Sequence, residues 1–357
     1  MSKTFFLYSF SLFLICYQNQ AQAKKVDSFD LFVEELAGTR VESLNEDDKR
    51  VLTQVITPLL ESLVETQKLH GPNDEEDKLL ADSWVESDIR KGGMAAEAFF
   101  KLYKNFGKSK ERECLEDAYT FVKTSFEDPV GVFVDDAKTK KHIDKNWGSP
   151  DVFESATTGI SVDKADVLAE QESIRLKSRK SLLKTLKKTG WNNPDDSDEF
   201  KDFACFVSVK WPTLSEQKDY LKSRIVKEIT KIEDTDYDVS ELQEGLHEFR
   251  RDIRGISIWL GLARDYLNVE PSLEADLSSY VSQVGDIKDD GERWERFAPP
   301  IEAATGKSGA TLESFLREFF QQKRGAVLDW LPRAKKIKKT FDDSKILEKI
   351  KIDIVAS

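Results

Sequence analysis

The chain has 357 residues, 39% apolar and 34% charged, with a net charge of −12 and a mean hydropathy of −0.50. That length allows one large domain or two ordinary ones with a sizeable core, and the composition excludes a disordered or membrane-embedded chain. The acidity opposes general binding to nucleic acid or to anionic membranes, so no nucleic-acid partner is expected.

The first residues have the pattern of an export signal. Lys3 gives a positive start, FFLYSFSLFLICY an apolar stretch, and QNQAQA a run of small residues that places cleavage after Ala23. The apolar stretch is about 13 residues, against the roughly 20 that a spanning helix needs. The expectation is an exported protein, periplasmic or secreted, with no stable membrane insertion after residues 1–23 are removed. An uncleaved anchor is one alternative. A lipid on Cys16 is another, opposed by Ile15 where a small residue is wanted. Cleavage leaves Cys114 and Cys205, which in an oxidising compartment either pair or remain two buried thiols; their spacing alone does not decide.

Nearly every later segment has a helical period, and none alternates apolar and polar residues between hairpin turns, so the fold class expected is all-α, built of helical bundles. Asn45 is placed to cap a helix with Val51, Val55, Leu59 and Leu63 on one face, kinked at Pro58 and ending at Gly71. AAEAFFKLYKNFG and RECLEDAYTFVKTSF continue a first bundle over 24–146. Residues 147–164, WGSPDVFESATTGISVDK, gather Gly, Pro, Ser and Thr and read as a linker or loop. A second bundle over 165–357 opens with a long helix ending at Gly190 and the acidic loop NNPDDSDEF. Further helices are expected over 213–233, 240–268, 272–284 and 310–330, and from Pro332 to about 350. DIKDDGERWER clusters Asp286, Asp289 and Asp290 without the ligand spacing of a calcium loop and reads as a solvated turn.

One helix carries most of the chemistry. Ser240 and Gln243 have capping-box spacing, and Leu242, Leu246, Phe249, Ile253, Ile256, Leu260, Ala263 and Leu267 follow in steps of four and three. With that seam near 0°, His247, Arg250 and Arg254 fall at about 140°, 80° and 120°, on one stripe. Arg251 lies outside it, Glu248 and Asp252 lie on the opposite flank, and Ser257 and Gly261 continue the stripe with small residues. Ile258, Trp259, Leu262 and Tyr266 add a second apolar face, which makes this helix interior to its bundle. Cations on an interior helix need either carboxylates from neighbouring helices or a bound anion.

LHEFRRDIRGISIWL resembles the signature of the conserved-histidine α-helical domain, the CHAD family, in which a His is followed by Arg three positions on and by further basic residues one and two turns later. His247, Arg250 and Arg254 match and Arg251 is compatible; Gly255 departs from the pattern, and the signature occurs once rather than in both halves. The resemblance implies two pseudo-symmetric helical bundles around a basic cleft that binds inorganic polyphosphate. RLKSRKSLLKTLKK would line that cleft through Arg175, Arg179, Lys180, Lys184 and Lys187.

Elsewhere the chain has no Gly-rich phosphate loop, no HExxH, no paired-cysteine metal spacing and no GxSxG. His70 and His142 stand alone beside expected loops, so no metal or cofactor is expected, and the reading leans away from an enzyme. The function expected is binding of polyphosphate or another phosphate-bearing anion by His247, Arg250 and Arg254, with the five basic residues of 175–187 as weaker candidates. The alternative is a non-catalytic periplasmic interaction or scaffold protein, with a protein partner and the same residues in structural ion pairs.

Overall fold

The structure, a computed structural model, describes residues 44–67, 89–191, 197–211, 213–323 and 327–357. The export signal, the helix end at Gly71, His70 and residues 192–196 of the acidic loop lie outside the described residues. The helices are α1 (Glu46–Gln67), α2 (Ile89–Tyr103), α3 (Ser109–Val122), α4 (Asp128–Trp147), α5 (Lys164–Lys188), α6 (Asp198–Phe203), α7 (Leu214–Asp234), α8 (Glu248–Leu262), α9 (Pro271–Thr305), α10 (Gly309–Lys323), α11 (Trp330–Ser344) and α12 (Ile346–Ala356). The fold is all-α, as the periodicity predicts, apart, among the described residues, from one hairpin of β1 (Val152–Glu154) and β2 (Ser161–Asp163).

The chain forms two compact units whose limits do not follow its linear segments. The first takes the described residues up to Phe100, Lys104–Glu127 and Leu186–Trp211; the second takes Lys101–Tyr103, Asp128–Thr185 and Pro212–Ser357. The turn from first to second thus comes at Glu127, ahead of the expected boundary at 146.

In the first unit, Asn45 caps α1 reciprocally: its Oδ1 accepts the Asp48 amide at 2.8 Å while the Asp48 carboxylate accepts the Asn45 amide at 3.2 Å. Val51, Val55 and Leu59 are buried as predicted. An aromatic core joins Phe100 and Phe121 to rings brought from far along the sequence, with centroids 4.8 Å apart for Phe121 and Phe203 and 5.1 Å for Phe100 and Phe206. Cys114 on α3 and Cys205 in the turn after α6 form a disulfide, Cα to Cα 6.1 Å, which decides between the two alternatives for these residues.

The second unit is organised around α9, which packs against α4, α8, α10, α11 and α12. This 35-residue helix runs through the stretch where sequence signals suggested a stop at 284 and a solvated turn at 286–290. The signals misled because its glycines serve packing. A Cβ at Gly285 would stand 2.7 Å from Arg250 Nε, and one at Gly291 2.7 Å from Leu242 Cδ1. Asp290, 4% exposed, is matched by Arg293 at 2.9 Å and Arg333 at 2.7 Å. The helix stops at Gly306, which adopts the left-handed conformation, φ 64°.

Residues 147–164, expected as a linker or loop, form a largely exposed hairpin segment that sends Trp147, Phe153 and Val162 into the core of the second unit. The hairpin pairs Phe153 with Val162, and both pack with Trp147 and with Phe315 and Phe319 of α10. Its loop is tied by Glu318, whose carboxylate accepts Ser155 Oγ at 2.7 Å and the amides of Ala156 and Thr157 at 2.9 and 3.0 Å.

Candidate functional site

The stripe helix is entered through a π-helical turn, Leu242–His247, rather than through a capping box. Ser240 is held by Asp238, whose Oδ1 accepts both its amide at 3.0 Å and its hydroxyl at 2.5 Å, and Gln243 reaches Glu295 on α9 instead. Gly245 makes the turn possible, since a Cβ there would lie 1.7 Å from the Asp238 carbonyl oxygen. Beyond it Phe249, Ile253, Ile256, Trp259 and Leu260 are buried, so α8 is the interior helix that its two apolar faces predict.

The wall facing the stripe is α9. His247 points its Nδ1 at Glu292 Oε1 across 3.8 Å, longer than a hydrogen bond. Glu292 is 5% exposed and is shared with Lys288 Nζ at 2.6 Å and Arg296 Nη2 at 2.5 Å. Arg296 also reaches Asp135 of α4 at 3.3 Å. Burial raises the Glu292 pKa, but the combined pull of His247, Arg296 and Lys288 outweighs it and holds the carboxyl down at about 2.

Arg250 is handled differently. Its half-buried guanidinium lies against Gly285, its Nε has no hydrogen-bond partner, and it makes no ion pair among the described residues. Arg254 is half-buried on the same face. Ser257 touches Ser278 of α9 at 3.1 Å, Gly261 is exposed, and Arg251 pairs with Glu248 at 3.1 Å, outside the stripe.

The basic residues of α5 differ in their surroundings. Arg175 is 3% exposed and lays its guanidinium on Glu172 through Nε at 3.0 Å and through Nη2, while Lys140 of α4 takes the same carboxylate at 2.7 Å. The hydrogen bond from Arg175, reinforced by Lys140 against the opposing effect of burial, keeps Glu172 at about 2. Arg179 is half-buried. Lys180, Lys184 and Lys187 are exposed. The residues that sequence reasoning missed are Lys288, Glu292 and Arg296. Their spacing of four is a legible ladder of alternating charge on a helix face, hidden by reading the segment as a turn.

No family model, curated protein or solved structure matches the chain. Its chemistry has to be read from its own side chains. Among the described residues no three His, Cys, Asp or Glu groups are placed to hold a metal ion. His142 lies within α4 rather than beside a loop, and Asp144 pairs with Lys164 at 2.8 Å. No helix among the described residues is long and apolar enough to cross a membrane.

Proposed function

We propose that the chain is an exported, non-catalytic interaction protein in which His247 of the stripe and the basic residues Lys288, Arg296 and Arg175 are structural. The observation that carries this reading is the Glu292 carboxylate, buried at the stripe with His247, Lys288 and Arg296 around it. A cation already matched by an internal carboxylate is a poor anion receptor, because a ligand must first displace its partner. The closure of Arg175 on Glu172 supports the same view for α5. The disulfide accords with an oxidising compartment, and so with export.

A second reading, binding of polyphosphate or another phosphate-bearing anion as the CHAD resemblance implies, is favoured by Arg250, whose guanidinium has no internal carboxylate among the described residues. Titrating polyphosphate at low salt against the wild type and an Arg250→Ala, Arg254→Ala variant, with unfolding followed in parallel, separates the two. We expect no saturable binding and a change in stability alone. Salt-sensitive binding that the variant loses would overturn the structural reading in favour of the second.

A further inference from the structure

Beside the π turn, the second unit has a cleft of about 540 Å³. Two half-buried indoles, Trp294 of α9 and Trp330 of α11, stand in its walls with Leu242 and Gly291. Gly291 is what lets them close in: a Cβ there would meet the Trp330 ring at 3.2 Å and Leu242 at 2.7 Å. Three carboxylates, Glu241, Glu244 and Glu295, line the same cleft. Among the described residues none of them forms an ion pair, and Glu295 is engaged only by the Gln243 amide at 3.3 Å. In a chain whose other exposed acids so often pair with a lysine or arginine one turn away, an unmatched trio beside two indoles is a distinct chemistry.

That chemistry discriminates among cations. These carboxylates are not convergent enough to serve as a metal ligand set among the described residues, and a hydrated divalent ion gains little from indole and leucine walls. An alkylated ammonium group suits both features, since its diffuse charge and apolar methyls favour an aromatic face with negative charge a few ångströms away. One indole already shows this affinity: the exposed Arg317 guanidinium sits 5.7 Å from the Trp294 ring centroid.

We propose that the cleft between Trp294, Trp330 and the carboxylates of Glu241, Glu244 and Glu295 binds an alkylated ammonium head group, as carried by choline. The reading is independent of the stripe, because none of these groups pairs with His247, Arg250 or Arg254.

The test is calorimetric titration of the full mature chain with tetramethylammonium, with choline, and with 3,3-dimethylbutan-1-ol, the uncharged isostere of choline. Saturable binding of both cations is expected, with the neutral isostere weaker by about tenfold or more. Because Glu244 and Glu295 are exposed, an E244Q/E295Q variant keeps its fold and its melting temperature while binding choline several-fold more weakly. A Trp294→Leu variant loses binding, and the glutamate variant guards against that loss being mere misfolding. Co-sedimentation with phosphatidylcholine vesicles, compared with free choline as competitor, tells a lipid head group from a soluble cation as the source. Absence of saturable binding at tens of millimolar cation, equal binding of the neutral isostere, or indifference to E244Q/E295Q would each overturn the proposal.

Discussion

Replacing Glu292 by Gln puts the ion network under the most direct strain, because the change is nearly isosteric and removes only the charge at its centre. Breaking a buried pair from one side costs about 3–5 kcal/mol. The low end applies here, since Arg296 retains Asp135 at 3.3 Å and Lys288 retains Asp289 at 3.9 Å. The carboxyl itself gives a consistent figure: a pKa of about 2 in place of the ordinary 4.5 corresponds to about 3 kcal/mol. Its folded-state value is depressed, so this stability is fully present above pH 4.5 and drains away as pH falls toward 2. Urea denaturation of wild type and E292Q at pH 7 should differ by about 3 kcal/mol, and more than half of the gap should have closed by pH 3. A variant within about 1 kcal/mol of wild type at pH 7, or a gap that persists unchanged into acid, would refute the network as an energetic unit.

Gly245→Ala meets the Asp238 carbonyl at 1.7 Å, so a helix-propensity gain of up to about 1 kcal/mol is outweighed by overpacking, for a net loss of about 2 kcal/mol. Gly261→Ala, whose Cβ meets nothing within 4 Å, should be neutral or stabilising; identical melting temperatures for the two variants would contradict this contrast. Cys114→Ser with Cys205→Ser opens a loop with a sequence separation of 91, and loop-closure entropy sets the loss at about 4–5 kcal/mol, which reducing agent should reproduce in the wild type. Glu318→Gln should speed hydrogen exchange at Ala156 and Thr157. In the wild type, hydrogen bonds from Ser155 and from the Thr157 and Ala156 amides hold Glu318 at about 2, so the same loosening should appear as pH falls from 4.5 toward 2 and be absent above it. Exchange at these amides that does not respond to acid would show that Glu318 is not the tie.

What could be read from the sequence was whatever depends on near neighbours in the chain. The α8 seam was legible because Phe249, Ile253, Ile256 and Leu260 repeat at helical spacing, and all four are buried. The Asn45 cap and the stop of α5 before Gly190, φ 81°, were legible for the same reason. The hairpin was not, since strands of three residues are too short to show alternation and theirs is fixed by Phe315, Phe319 and Glu318, more than 150 residues on. The course of α9 was hidden because Gly285 and Gly291 break helices only where no neighbour needs their space. The site divides likewise: the stripe was visible on its own helix, but the partner of each cation was a question of tertiary packing. Ser240 makes the point in miniature, since Asp238 outcompetes the cap two residues away.

The interrupted path of the first unit sets an order of events during synthesis. Phe100, Phe121 and Phe126 leave the ribosome well before Trp191, Phe200, Phe203 and Phe206, the rings that will cover them, because residues 128–185 come between. Until Trp211 has emerged, α2 and α3 carry an uncovered aromatic face, the kind of surface that chaperones hold and that aggregates when they do not. A nascent chain stalled at residue 146 would therefore not be a finished bundle awaiting a second, but half of one core displayed to the cell.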